Sequence, residues 1–160
     1  MDESKDSVTF RTATNDDRER VVSLIFTVLI EHGLKPAPES TDADLKDIEV
    51  NYLKTGGIFE LVEDREGNLL GTVGLYPLDG VTCELRKMYL APQARGLGLG
   101  RHILERTIEN ARRLGFRRVT LETASVLERA VRLYTRFGFQ PVHHERLSAR
   151  ADRAFALDLS

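Results

Sequence analysis

The stretch RGLGLGRHILE, Arg95–Glu105, places glycines at 96, 98 and 100 directly ahead of an amphipathic run. Glycine weakens a helix, so three of them at a helix start imply that the backbone must come close to something. A helix N-terminus carries unpaired N–H groups and the positive end of the helix dipole. Glycines keep side chains out of the way of an anion approaching those groups, and Arg95 adds a charged donor. Pyrophosphate is the natural guest of such a turn; a tight turn that merely needs glycine is the plainer reading. Two familiar phosphate loops fit poorly. A Walker A loop ends in Gly-Lys-Ser/Thr, whereas Gly100 is followed by Arg101-His102. A dinucleotide fingerprint follows the first strand directly and leads to an acid about 20 residues on. This segment instead lies past the middle of the chain, behind a hairpin.

Such a loop needs a strand before it and a helix after it. Thr82–Leu90 (TCELRKMYL) follows an Asp79-Gly80 turn and reads as a strand that Pro92 stops. Gly98 to Leu114 is the clearest helix, with Ile103, Leu104, Ile108 and Ala111 on one face and Gly115 closing it. Upstream, Val8–Ala13 alternates as a strand, and a helix capped by Thr14 or Asn15 stops near His32-Gly33. A second helix, capped by Thr41 or Asp42, is expected to reach about Lys54 and to end at Gly56-Gly57. Ile58–Asp64 and Leu69–Leu75 form a hairpin around Gly67-Asn68. Downstream, RRVTLET is a strand of the buried kind, Val126–Phe137 a helix closed by Gly138, and FQPVHH and RAFALDL the last two strands. The order β-α-α-β-β-β-α-β-α-β-β predicts an α/β (α+β) fold with mixed strand pairing.

The chain has 160 residues, 41% of them apolar and 30% charged, which fits one domain over residues 1–160. With 23 basic against 25 acidic residues, no basic excess points to nucleic acid or a membrane surface. Arg101, Arg106, Arg112, Arg113, Arg117 and Arg118 are interleaved with Glu105 and Glu109, as on a solvated helix face. The single cysteine, Cys83, excludes an intrachain disulfide and a multi-cysteine zinc site, and it points to a cytoplasmic setting. The acidic start MDESKDSVTF is no signal peptide, and no apolar run reaches the length of a membrane span.

The residues around the glycine turn, LRKMYLAPQARGLGLGRHILE, resemble motif A of the GNAT superfamily of N-acetyltransferases. Arg95, Gly98 and Gly100 match its Gln/Arg-x-x-Gly-x-Gly/Ala signature. ERAVRLYTRFGFQPV, Glu128–Val142, resembles the family's next motif through Ala130, Leu133, Tyr134, Gly138 and Phe139. Order and spacing of the two motifs agree, and the element order fits over almost the whole chain, including two helices after the first strand. The resemblance implies a mixed, splayed central sheet flanked by helices, and acetyl-CoA as cosubstrate. It implies that the backbone of Met88, Tyr89 and Leu90 pairs with the pantetheine arm. It implies that the loop Arg95, Gly96, Leu97, Gly98, Leu99, Gly100 and Arg101 cradles the pyrophosphate. The arm and acetyl group would enter a splay between the TCELRKMYL and RRVTLET strands.

Amine acetylation requires a neutral amine, although an alkyl ammonium has a pKa near about 10.4. A base for the amine, a donor for the oxyanion and an acid for the thiolate are therefore useful. Glu84 is the base candidate, because many family members carry a glutamate on this strand. An ion pair with Arg86, two residues along the same strand face, is the alternative. Arg86 or Lys87 could instead bind a substrate carboxylate. Glu122 is a second base candidate, or an ordinary partner for Arg117 or Arg118. Tyr134 takes the position of the family tyrosine that can protonate the thiolate. A strand N–H near Met88 would serve the oxyanion. Where many members have an asparagine, this chain has Leu127, for which Ser125 is the nearest substitute. Cys83 reads as a small buried hydrophobe. The adjacent His143 and His144 would point to opposite faces of a strand, one surface and one half-buried, so they are poor joint metal ligands and no metal is expected.

The resemblance thus implies direct, ternary-complex transfer of an acetyl group from acetyl-CoA to an amine, with a small molecule preferred as acceptor. The segment Glu31 to Ser40 would supply much of the acceptor wall. Dimers are common among similar proteins, so a homodimer stands among the expectations. The alternative is a non-catalytic acyl-CoA sensor or interaction module that keeps the glycine loop and dispenses with Glu84 and Tyr134.

Overall fold

Alternating apolar residues and well-placed glycines build one seven-stranded sheet in the computed structural model, which describes residues 7–144 and 146–159. The acidic Met1 to Asp6 stretch and the last residue of the expected domain lie outside the described residues. The strands are β1 (Thr9–Thr12), β2 (Ile58–Glu63), β3 (Leu69–Pro77), β4 (Thr82–Leu90), β5 (Arg118–Thr123), β6 (Gln140–Pro141) and β7 (Arg153–Asp158). Their order is β1-β2-β3-β4-β5-β7-β6, antiparallel throughout except for the parallel pair β4–β5. The β2–β3 hairpin turns where expected: Gly67 takes φ +85°, and the Asp64 carboxylate accepts the Glu66 and Asn68 N–H groups.

Helices α1 (Arg18–Glu31), α2 (Leu99–Arg113) and α3 (Glu128–Phe137) cover the two faces. Ile103, Ile108, Tyr134, Val62, Val119 and Phe155 share one core, which places α2 and α3 on one face. Val21, Ile25, Leu29, Tyr52, Phe59 and Leu61 form the other core, under α1. Neighbouring residues Leu61 and Val62 belong to different cores, as the two-residue period of a strand requires.

Two elements depart from expectation. The second helix is broken into a 3₁₀ turn, Ala43–Lys46, and a π-helical turn, Glu49–Leu53. Asp47 between them leaves helical geometry (φ −146°, ψ 86°), and its carboxylate accepts the Val50 N–H and the Asn15 amide, both at 3.0 Å. Such local side-chain bonds compete with a continuous helix. The FQPVHH strand shrinks to Gln140–Pro141, on the edge beside β7. Pro141 cannot donate to a ladder, and His143 and His144 beyond it are both exposed, not split between two faces of a strand.

Candidate active site between β4 and β5

The parallel strands β4 and β5 pair at Thr82↔Arg118, Cys83↔Val119 and Glu84↔Thr120, and then part. β4 continues alongside β3 as far as Leu90, opposite Gly71, so its other edge is left without a strand partner beyond Glu84. This is the splay that the resemblance to the GNAT motifs implies. A cavity of about 350 Å³ fills it, lined by residues 84–89 of β4, 121–123 of β5 and Ala124 beyond it, Ala130 and Tyr134 of α3, and parts of the 34–44 and 148–151 segments. Val119 and Leu121 face the α2/α3 core. Glu84 and Glu122 therefore project from the other face, while Tyr134 reaches the cavity from the α3 side. The slot runs through the sheet.

Within it, Glu84 is ion-paired with Arg86, whose guanidinium stacks on the Tyr76 ring at 3.9 Å. Glu122 does not pair with Arg117 or Arg118; its Oε1 accepts the Ser148 N–H at 2.7 Å, and Arg118 turns to Asp158 at 2.8 Å. Tyr134 lies against Phe139, and burial holds its phenol above the ordinary value. Leu127 lines the slot, while Ser125 is bound through both N–H and Oγ to Asp152 at 2.8 and 2.9 Å. Cys83 is fully buried in the α2/α3 core, which pushes its thiol up to about 12.

From Tyr89 and Leu90 the chain passes through a 3₁₀ turn at Pro92–Ala94 into the glycine loop. Gly96 and Gly98 take φ +78° and +77°, and a Cβ on either would meet nothing within 4 Å. Gly98 is the N-cap of α2, with no side chain capping the helix. The first N–H groups of α2 thus have no intrahelical partner and face an open turn. Gly100 differs: a Cβ there would touch the side chains of Leu133 at 3.4 Å and Leu90 at 3.5 Å. Arg95 is not a free donor. It grips Glu31 at the end of α1 through two bonds, 2.6 and 2.8 Å, and bonds the Leu90 carbonyl at 3.2 Å. That grip holds the Glu31 carboxyl below its ordinary range. Arg101 pairs with Glu105 at 2.8 Å on an exposed surface. The strand edge and the open helix start together suit an extended polar arm ending in an anion.

Sequence reasoning missed a buried ionic cluster beside the slot. Asp42, expected only as a cap, has a side chain wholly shielded from solvent. Its carboxylate accepts Lys87 Nζ at 2.7 Å, two Arg150 bonds at 2.8 and 2.6 Å, and the Ala37 N–H at 2.9 Å. Burial alone would raise this carboxyl, but Arg150 and Lys87 hold it down at about 2. Lys87 takes φ +55° where the β3–β4 register shifts. A lysine in line with apolar Cys83 and Leu85 was the available signal. Neither Arg86 nor Lys87 is left unpaired for a substrate carboxylate. Among the described residues no group of three metal-binding side chains could hold a metal, and no helix is long and apolar enough to cross a membrane.

Comparison with known proteins gives a consistent picture. Residues 26–139 match the model of the acetyltransferase (GNAT) family. The Escherichia coli (strain K12) protein named uncharacterized N-acetyltransferase YjgM is 35% identical over 143 residues, covering 86% of this chain and 85% of its own. A GNAT-family acetyltransferase structure from Staphylococcus aureus Mu50 superposes with a TM-score of 0.90 at 24% identity, over 96% of this chain and 100% of that one. The phosphinothricin acetyltransferase of Sinorhizobium meliloti, solved in complex with acetyl-CoA, gives a TM-score of 0.73 at 17% identity, over 96% and 89%.

Proposed function

Since the chain belongs to the GNAT acetyltransferase family and is thus an acetyl-CoA-dependent N-acetyltransferase, we propose that it transfers the acetyl group directly to a small-molecule amine in the β4–β5 slot. The observation that carries this reading is the unpaired edge of β4, which borders a through-sheet cavity and leads to the open N-terminus of α2. Backbone groups of Met88, Tyr89 and Leu90 hold the pantetheine arm as an added strand. The turn Gly96-Leu97-Gly98, with the N–H groups of Leu99, Gly100 and Arg101, receives the pyrophosphate. Arg95 fixes that turn by clamping Glu31 and Leu90. Arg101 can exchange its exposed, weakly held partner Glu105 for a phosphate oxygen.

Glu84 takes the proton of the attacking amine, directly or through water, with Glu122 the second candidate on the adjacent strand. The β4 N–H of Met88 or a neighbour stabilises the charge that develops on the thioester oxygen. As the new C–N bond forms and the C–S bond breaks, Tyr134 donates a hydrogen bond to the sulfur that leaves as thiolate. A phenol held above its ordinary value keeps its proton at working pH, so hydrogen bonding outweighs full proton transfer. The buried Cys83 thiol supports direct transfer over a covalent acetyl-cysteine, and a lone unpaired cysteine accords with a cytoplasmic setting. The non-catalytic alternative gains nothing from a slot that keeps Glu84, Glu122 and Tyr134.

The test is incubation with acetyl-CoA and a panel of small primary amines. Release of CoA thiol matched one-to-one by acetylated amine is expected; acetyl-CoA binding with no product from any amine would favour the non-catalytic reading.

A further inference from the structure

Every arginine of the first two helices is engaged. Arg18 and Arg20 of α1 reach carbonyls and carboxylates. On α2, Arg101 pairs with Glu105, Arg106 with Glu60, and Arg112 and Arg113 with Glu109. Helix α3 breaks the pattern. Its arginines, Arg129, Arg132 and Arg136, are all exposed, and none has a hydrogen bond or ion pair among the described residues. Glu128 stands one turn before Arg132, at the spacing of a helical ion pair, yet the two do not pair. The arginines follow one another at intervals of three and four residues, so they share one face of the helix. Like charges at that spacing weaken a helix. With 23 basic against 25 acidic residues, the ridge is no by-product of a basic chain.

The ridge has a definite place. Leu133 comes four residues after Arg129 and three before Arg136, so it lies between them on the helix surface. Leu133 packs against the start of α2, since a Cβ on Gly100 would meet its side chain at 3.4 Å. On the other side of Leu133 are Ala130 and Tyr134, which line the slot. Across its width α3 therefore borders first the slot, then the glycine turn, then the arginine ridge. A ligand with its arm in the slot and its pyrophosphate on the turn has its nucleoside end beyond the turn. In CoA that end carries a further phosphate, a monoester on the ribose 3′ carbon, close to doubly charged. A guanidinium fork matches such a group bidentately.

We propose that the Arg129, Arg132 and Arg136 face of α3 binds the 3′-phosphate of acetyl-CoA. The assignment rests on the placement of the pyrophosphate at the glycine turn given above. None of the three arginines is among the residues that match the family motif on this helix, so the contact belongs to this chain's own sequence. The ridge then selects the 3′-phosphorylated cosubstrate over thioesters and nucleotides that lack the group.

Titration calorimetry compares acetyl-CoA with acetyl-dephospho-CoA, which lacks only the 3′-phosphate, on the wild-type chain and on a chain carrying Arg129→Gln, Arg132→Gln and Arg136→Gln together. The wild type should bind acetyl-CoA tighter by about tenfold or more, the worth of at least one charge-assisted hydrogen bond. Raising the salt should shrink that preference. The triple variant, whose melting temperature should hold because all three side chains are exposed, should bring the ratio close to one, with acetyl-CoA losing far more affinity than the dephospho compound. Equal affinities in the wild type, or an undiminished ratio in the folded variant, overturns the proposal and leaves acetyl-CoA binding intact. Binding of neither compound to the wild type overturns the placement of the pyrophosphate, and the proposal with it.

Discussion

Tyr134 and Cys83 sit in the same core, and burial pushes both to keep their protons. The consequences differ because only Tyr134 lines the slot. For Cys83 the shift removes a nucleophile; for Tyr134 it preserves a donor at the wall of the slot, where the proposed function has the thiolate leave. Tyr134→Phe keeps the ring and its packing on Phe139, so stability and acetyl-CoA affinity should hold. Its kcat should fall by roughly 10- to 10³-fold, the low end of acid–base effects because the thiolate is a good leaving group. Steady-state kinetics at saturating acetyl-CoA, with a melting curve alongside, makes the measurement; an unchanged kcat with chemistry rate-limiting would return Tyr134 to a packing role. Tyr134 was legible in the sequence because RLYTRFGF is a local motif. Asp42 was not, because its partners Lys87 and Arg150 lie 45 and 108 residues away and no local pattern links them.

Among the elements, the broken second helix matters more than a continuous one would. Asp42 and Asp44 lie at its first turn, and Arg150 ties that turn to the segment before β7, so two irregular stretches close one wall of the slot. The sequence marked the helix start correctly, but read Asp42 as a cap where it is a buried counter-ion. Asp47 supplies local bonds that no periodicity can reveal. Removing the counter-ion should be severe: Asp42→Asn leaves Lys87 and Arg150 without their shared charge, at a cost of about 3–5 kcal/mol in denaturant unfolding. The acid dependence has a definite sign. Asp42 titrates near 2 when folded against an ordinary 3.8, so it contributes stability that is full above 3.8 and lost as pH falls through about 2. The gap between wild type and Asp42→Asn should narrow over that window. A gap that stays constant across it would show that the cluster does not hold the wall.

At the scale of the whole molecule, the sheet does the positioning. One parallel pair, β4–β5, within an otherwise antiparallel sheet allows two strands to start together and then part. Helices on both faces leave the opening as a passage through the sheet. Under the proposed direct transfer, two substrates would enter from opposite faces and meet between Glu84 and Tyr134. The splay was legible only through the resemblance of two motifs, and the order of strands in the sheet not at all, because strand partnering is long-range and periodicity shows elements without neighbours. The glycine turn was read from its own residues, but the partner that engages Arg95 was not. Arg95 proved to be a clamp on Glu31, a contact 64 residues distant.

That turn gives the sharpest test of the central claim, that the open start of α2 and the β4 edge hold acetyl-CoA. Gly98→Asn is the variant of choice, because asparagine tolerates φ +77° far better than a β-branched residue and its Cβ would meet no protein atom within 4 Å. Its side chain instead enters the space in front of the first N–H groups of α2. Titration calorimetry should show one acetyl-CoA bound per wild-type chain, and an affinity for Gly98→Asn lower by about 10²-fold or more, the loss expected when an anion's backbone donors are obstructed, with an unchanged melting temperature. Wild-type affinity in the folded variant would place acetyl-CoA elsewhere and contradict the account.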